Sequence, residues 1–533
     1  MPIDEVHQRA SVIAFSPPFL MPMRPIRTLL CLLVLVAVPA HAQVSLDLDA
    51  LDTYFAEALD NWPVPGFAVA IVQDGEVVFE KGYGVTEIGT SNSVDEHTLF
   101  AIASNTKAFT TAALAALVDE GRLSWDDRVR DHLPYFEVYN PYVSSEMRVR
   151  DLVSHRSGLG TYSGDLLWYG TEFSAEEVVK RTRFVPQAGP FRSSYGYSNL
   201  MFIAAGEVIR SVTGRPWNEL VEDRFIAPLG MDRTQTSVEP LARMENVASP
   251  HKPTPDEVIP IEWFNWDAMG SAGAIVSSVH DMTSWIRLQL DGGTRGGQTF
   301  FSADAQHQMW SPQTLIPISR AARERTPSTH VRAYGLGWFL NDYHGRWIVG
   351  HGGGYDGMFS RVMLVPEENL GVVILTNSMT GLQTALTNRI LDEALGLPTA
   401  TSTAELAMRD ASNRAAFYAR IDSTTTPRFA SSMPRLPLSA YAGRYSGDLF
   451  DAVTVAEENN GLVLRFDVAD HLVADLTPLH HDVFRLDWHD TYAWFGSGSA
   501  HFVLNAAGDV AELRLDVPND DLWFHELDLV RER

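Results

Sequence analysis

Ser104-Asn105-Thr106-Lys107, running straight into Ala108-Phe109-Thr110-Thr111-Ala112-Ala113-Leu114, is the stretch whose reading decides the fold. The alanine-rich apolar run from Asn105 to Glu120 stops at Gly121, a natural residue just past a helix end, and predicts a helix with Ser104 at its N-terminus. Residues three apart share a helix face, so Lys107 lies against Ser104. A serine hydroxyl is a poor nucleophile until a base takes its proton, and a desolvated lysine amine supplies one. Only four of the 41 Lys and Arg residues are lysine (Lys81, Lys107, Lys180 and Lys252). A lysine kept where arginine is the default cation suggests chemistry that arginine cannot do, because arginine does not deprotonate. Alone, the tetrapeptide reads equally well as a helix cap followed by a solvated lysine.

The flanks supply context. Phe67 to Gln73 alternates toward Asp74-Gly75, and Glu76 to Lys81 returns, which predicts a hairpin with a primed turn. Leu200 to Val212 reads as a helix stopped near Gly214-Arg215-Pro216. Arg346 to Gly350, Ser360 to Val365 and Gly371 to Thr376 read as strands, with a turn over Glu367-Glu368-Asn369-Leu370. Helices followed by late antiparallel strands predict an α+β domain over residues 43–398. Residues 399–434, rich in Thr, Ser, Ala and Arg, read as a linker holding a short helix near Glu405 to Arg420. Residues 435–533 change to short apolar alternations at Ala452 to Ala456, Leu462 to Asp467, Phe484 to Trp488, Tyr492 to Phe495, Phe502 to Asn505 and Val510 to Asp516. They predict a small antiparallel β-barrel, separable from the part before it.

At 533 residues with 45% hydrophobic and 20% charged side chains, the chain is globular and long enough for two or three domains. A net charge of −26 argues against nucleic acid and anionic membrane as partners. Residues 1–42 read as a leader: Met23-Arg24-Pro25-Ile26-Arg27 is basic, Thr28 to Val38 is an apolar run too short to span a bilayer, and Ala40-His41-Ala42 fits cleavage before Gln43. An exported, periplasmic or secreted protein with no stable membrane anchor is expected, its start at Met1 or Met23. The only cysteine, Cys31, lies in that run, so the mature chain has no disulfide, thiol nucleophile or thiolate metal site.

Three further motifs compete. His351-Gly352-Gly353-Gly354 mimics a lipase oxyanion loop, but the chain has no Gly-x-Ser-x-Gly elbow to go with it. Gly352-x-Gly354-x-x-Gly357 matches a dinucleotide fingerprint only if it opens a helix after a strand. His480-His481-Asp482 reads as a solvated turn rather than a metal site. Trp263, Trp266 and Trp338 read as core before cleft.

Ser104-x-x-Lys107, Tyr197-Ser198-Asn199 and His351-Gly352-Gly353 together, in that order and spacing, resemble the three motifs of the serine β-lactamase and penicillin-binding-protein family, in its class C-like branch of esterases, D-aminopeptidases and DD-peptidases. Arg150 to Leu159, Pro228 to Met231 and Ser271 to Ala274 support the resemblance, and Ser154-His155-x-Ser157 becomes structural by it. The C-terminal part resembles the lipocalin-like barrel appended to some members. The resemblance implies an antiparallel sheet flanked by helices with an all-helical subdomain. It implies Ser104 as nucleophile and Lys107 or Tyr197 as base, taken as one unit. Asn199 binds substrate or holds Lys107, and the N–H groups of Ser104 and Gly354 form the oxyanion hole. No cofactor and no metal are implied. The expected activity is an acyl-enzyme hydrolase of small esters or of peptide and amide bonds, D-amino-acid peptides included. The alternatives are a β-lactamase or DD-carboxypeptidase, and a catalytically silent penicillin-binding sensor. Histidine at 351, where class C β-lactamases carry lysine, removes a fixed cation for a substrate carboxylate, so slow β-lactam turnover is expected. Association into homo-oligomers through the C-terminal domain is left open.

Overall fold

Alternation at Phe67 to Gln73 and the Asp74-Gly75 turn fold as the pattern dictates. Strands β1 (Gly66–Gln73) and β2 (Glu76–Gly84) pair antiparallel, and both turn residues sit at positive φ, 54° and 79°. The computed structural model describes residues 46–398, 401–429 and 432–533. The leader expected over residues 1–42 lies outside the described residues.

The first two strands edge an eight-stranded antiparallel sheet. Its other members are β3 (Thr314–Leu315), β4 (Arg332–Tyr334), β5 (Phe339–Tyr343), β6 (Arg346–Tyr355), β7 (Met358–Val365) and β8 (Leu370–Thr376), in the order β2-β1-β8-β7-β6-β5-β4-β3. Strand β6 runs five residues beyond the expected end at Gly350, through the whole glycine run to Tyr355. The glycines therefore lie inside a strand, which removes the dinucleotide reading.

Successive residues of a strand face opposite sides, and here both sides are covered. Val69, Ile71, Val372 and Ile374 pack under helices α1 (Leu48–Asn61) and α5 (Leu382–Ala394). Ala68, Ala70, Val373 and Leu375 pack against the larger core of α2 (Thr106–Asp119), α3 (Asn199–Thr213) and α4 (Val279–Leu290). The small alanines of β1 let α4 approach, and Trp285 of α4 stacks on Phe109 of α2 at 3.7 Å. Both predicted helices form, and their expected stops, Gly121 and Gly214, sit at φ 69° and 73°.

The linker expectation changes most. Residues 403–425 form one 23-residue helix, α6 (Thr403–Thr425), capped by Ser402. It is a strut. Its first half meets α1 and α5 through Asn61 to Thr403 Oγ1 at 2.6 Å and the Gly381 N–H to Asp410 at 2.9 Å. Its second half reaches the C-terminal part through Arg420–Asp520 at 2.9 Å, with Ile421 buried.

Eight strands then close a barrel: β9 (Gly443–Gly447), β10 (Asp451–Glu458), β11 (Gly461–Phe466), β12 (Ala469–His480), β13 (Val483–Trp488), β14 (Gly498–Leu504), β15 (Val510–Asp516) and β16 (Leu529–Arg531). Closure leaves no free edge. Sequence pattern missed β9, β12 and β16, and it made Tyr492 to Phe495 a strand. That segment is a loop between β13 and β14.

The two parts share a hydrophobic core. Tyr169 stacks on Phe264 at 4.8 Å, and both meet the barrel, Tyr169 at Phe495 (6.1 Å) and Phe264 at His471 (4.7 Å). The barrel, read from sequence as separable, packs against the part before it through an apolar interface. A chain cut after residue 430 is expected to bind a hydrophobic dye and to melt at lower temperature than the full chain, because it exposes Tyr169 and Phe264. Calorimetry and dye fluorescence on the two chains check this.

Candidate active site

Helix α2 opens on a tight turn. A 3₁₀ segment, Ala103–Asn105, precedes it, and Ala103 is held at φ 47°, a left-handed conformation that costs a non-glycine residue energy. The strain is held by neighbours. Ser360 Oγ donates to the Ile102 carbonyl at 2.7 Å, Asn105 donates to Ser360 Oγ at 2.8 Å, and the Ile102 N–H donates to the Ile275 carbonyl at 3.0 Å. Ser104 is thereby turned into the cleft.

Lys107 follows one turn later and is fully buried. Its amine meets Ser104 Oγ at 3.0 Å, Asn199 Oδ1 at 2.7 Å and the Ala272 carbonyl at 2.8 Å. It lies 4.9 Å over the Tyr197 ring and 5.3 Å over Phe202. Desolvation lowers its pKa to about 7, against an upward pull from Asp165. Asn199 is fixed from its other end by Asp165 Oδ2 at 2.7 Å, and burial raises the Asp165 carboxyl to about 8.

Tyr197 sits just before α3. Its N–H donates to Thr161 Oγ1 at 3.1 Å, its carbonyl accepts from the Tyr162 N–H at 2.8 Å, and its ring lies 4.1 Å from that of His155. Burial pushes its hydroxyl well above the usual phenol range, with Ser104 pulling the other way by hydrogen bonding. His155 Nδ1 accepts from the Ser198 N–H at 3.1 Å, and burial holds its pKa far down, so it is a neutral brace for the Tyr197-Ser198-Asn199 turn.

His351 is buried on β6. Its Nδ1–H donates to the Gly352 carbonyl at 2.6 Å, which leaves Nε2 to accept from the Tyr334 hydroxyl at 3.0 Å. Burial first, then Lys107, lowers its pKa to about 3. Beside it, a Cβ at Gly353 would stand 2.3 Å from the Ile102 carbonyl, and a Cβ at Gly354 would stand 2.8 Å from the Trp494 ring. Only glycine lets β6 lie this close to the nucleophile turn.

These residues surround a cleft of about 400 Å³. Ser104, Tyr197, Asn199 and His351 to Gly354 all line it, so the three sequence motifs converge in space. Trp266 lines it as well as being core, whereas Trp263 and Trp338 do not reach it. Sequence reading missed Asp165 and Tyr334, which no motif marks, and it took Ser271 to Ala274 as family support without the Ala272 carbonyl as a partner of Lys107. It also missed the barrel's share: Trp494, Asp521 and Leu522 form part of the wall. Lys252 pins the loop that carries Trp494. Its amine, 7% exposed, donates to the carbonyls of Tyr492 and Phe495, the second at 2.8 Å. Glu526 holds the other side by accepting from Ser163 Oγ and the Gly164 N–H. Asp482, from the His-His-Asp turn, is spent on the Tyr441 hydroxyl at 2.6 Å.

Comparison with known proteins follows this geometry. The "Beta-lactamase" family model matches residues 51–396, and the "Domain of unknown function (DUF3471)" model matches residues 427–531. The unguisins hydrolase of Aspergillus violaceofuscus is 31% identical over 438 residues, 74% of each chain. The octameric penicillin-binding protein homologue from Pyrococcus abyssi shares the fold, at TM-score 0.58 and 20% identity over 91% of this chain and all of that one. The D-amino acid amidase from Ochrobactrum anthropi SV3 superposes with TM-score 0.54 at 25% identity over 65% of this chain and 98% of that one.

Replacing Lys252 by methionine leaves two buried carbonyls without a donor. Lys252→Met is expected to cost about 1–3 kcal/mol in urea denaturation and to lower kcat/KM by loosening the Trp494 loop. Unchanged stability would show the loop to be held by packing alone.

Proposed function

The chain belongs to the β-lactamase family of serine hydrolases, and from that premise we propose that it cleaves small esters and amides through an acyl-enzyme on Ser104. One observation carries the reading: the buried Lys107 amine has Ser104 Oγ as one of three acceptors, and burial brings its pKa to about 7. A neutral amine has two N–H bonds and one lone pair. The N–H bonds go to Asn199 Oδ1 and the Ala272 carbonyl, and the lone pair faces the Ser104 hydroxyl.

Ser104 Oγ attacks the carbonyl carbon while its proton passes to Lys107. The N–H groups of Ser104 and Gly354 hold the resulting oxyanion. Collapse breaks the bond to the alcohol or amine, which leaves with the proton delivered back through the Tyr197 hydroxyl. Water then repeats the cycle on the acyl-enzyme. The raised pKa of Tyr197 favours Lys107 as the base and Tyr197 as a neutral relay. A silent sensor has no use for a base tuned to neutral pH, which favours the enzyme reading.

Names among the relatives, a D-amino acid amidase and an unguisins hydrolase, support amides with D-residues as substrates beside simple esters. β-Lactams are expected to acylate slowly. His351 is neutral where class C enzymes have lysine, and Trp494 over Gly354 narrows that end of the cleft for a fused bicyclic ring. Export is part of this proposal and rests on the basic start, the apolar run and Ala40-His41-Ala42. The secreted form should begin at Gln43 by N-terminal sequencing.

A fluorophosphonate is expected to add once to the wild type and not to Ser104→Ala, read by intact mass. Lys107→Met should lose about 10²–10⁴-fold in kcat while keeping its fold. On a p-nitrophenyl ester, kcat/KM should rise about tenfold per pH unit below about 7 and level off above, because the folded enzyme needs Lys107 deprotonated. A cephalosporin hydrolysed ten times faster than both the ester and a D-amino-acid anilide would overturn the substrate assignment.

A further inference from the structure

Asp356 is buried in the short turn, Asp356-Gly357, that joins β6 to β7 just past the glycine run. Its Oδ1 accepts from the Tyr169 hydroxyl at 2.8 Å, and its Oδ2 accepts from Trp266 Nε1 at 3.0 Å. The Trp494 indole N–H is a third donor, and it comes from the barrel. Burial raises the carboxyl to about 6, and these three hydrogen bonds pull it back down. Aromatic donors rather than a paired cation hold this carboxylate. Its charge reaches Lys252, whose amine is spent on the Tyr492 and Phe495 carbonyls, and it also reaches the phenols of Tyr169, Tyr355 and Tyr492.

Trp266 and Trp494 both line the catalytic cleft, and Tyr169 meets the barrel at Phe495. Trp494 stands at the Gly354 end, where its ring lies 2.8 Å from the place a Cβ on that glycine would take. The loop that carries it belongs to no strand ladder. Lys252 ties the loop's backbone on both sides of the indole, at Tyr492 and Phe495. The ring itself has one polar handle, the N–H, and that handle goes to Asp356. A hydrogen bond to a carboxylate is directional, and it is strong where water is excluded. Burying a carboxylate is costly, and an apolar side chain would serve packing alone. We propose that Asp356 is the positioning residue that fixes the Trp494 indole as the end wall of the cleft, so that a barrel side chain limits the length of substrate that Ser104 accepts. The inference rests on the reading of Ser104 as nucleophile and adds a length limit to it. Asp356 touches no reacting atom and acts through Trp494, with Trp266 held in the adjoining wall by the same carboxylate.

The test uses two pairs of esters on the full chain. p-Nitrophenyl acetate against hexanoate lengthens the acyl side, and phenyl acetate against 4-butylphenyl acetate lengthens the leaving group. In at least one pair the wild type should favour the short ester in kcat/KM. Trp494→Phe keeps an aromatic ring and removes the N–H, whereas Asp356→Asn keeps the size and replaces one acceptor oxygen by a donor. Each should lower that preference roughly tenfold through the KM of the long ester, within the range of a hydrogen bond to a charged group. The double variant should lower it no further than the larger single effect, because both changes remove the same contact. Additive effects in the double variant would overturn the inference, and so would equal losses on short and long esters in Trp494→Phe. Should Asp356→Asn fail to fold, Trp494→Ala gives the fully opened cleft for comparison. A Trp494→Phe enzyme as permissive as Trp494→Ala supports the inference, and one as selective as the wild type overturns it. A wild type with no preference in either pair also overturns it. Turnover of no ester at all would strike the underlying hydrolase reading and this inference with it.

Discussion

The site depends on keeping one amine dry. An ordinary lysine is protonated at neutral pH and cannot take a proton from serine. Lys107 is buried, and its burial is tolerable because three polar partners, Ser104 Oγ, Asn199 Oδ1 and the Ala272 carbonyl, meet its amine. Those partners come from separate places: the turn before α2, the first residue of α3, and the short segment ending at Gly273. The amine is therefore held in this setting only when the helical layer has packed. The same desolvation keeps His155 and His351 uncharged and Tyr197 protonated, so the aromatic and imidazole groups around the amine neither compete for its proton nor add like charge.

Dryness is a joint property of the two parts of the chain. The barrel brings Trp494 against Gly354 and places Asp521 and Leu522 in the cleft wall, while Lys252 and Glu526 fix the loops that carry them. Helix α6 spans from α1 and α5 to the barrel and sets the spacing. A segment that composition marks as a linker acts mechanically as a brace.

Much of this was legible in the residues. Gly121 and Gly214 end their helices because φ near 70° is open to glycine, and Asp74-Gly75 closes its hairpin for the same reason. Ser104, Lys107, Tyr197, Asn199 and the glycine run were singled out by order and spacing; all but Lys107 line one cleft, and Lys107 meets it through Ser104 Oγ. Contacts between distant segments were not legible. Tyr492 to Phe495 has strand composition because it is buried, yet it is buried against the other part of the chain rather than within a ladder. Helix α6 was underestimated because it buries few residues along its length. The scarcity of lysine singles out Lys107, whose amine is buried against Ser104, Asn199 and Ala272. Lys252, another of the four lysines, is also buried, and it serves as a structural pin, so scarcity flags burial rather than catalysis.

The glycine run of β6 shows why a motif conveys less than its geometry. Two of its three glycines are small for different neighbours. Gly353 admits the Ile102 carbonyl and so brings the sheet up to the strained turn that presents Ser104. Gly354 admits the Trp494 ring and so brings the barrel to the Gly354 end of the cleft. Gly352 leaves the space that the Arg361 guanidinium fills. One strand thus gathers the Ser104 turn and the second domain around a single gap; a methyl group at Gly353 or Gly354 would displace one of them, whereas at Gly352 it would make ordinary contact with Arg361.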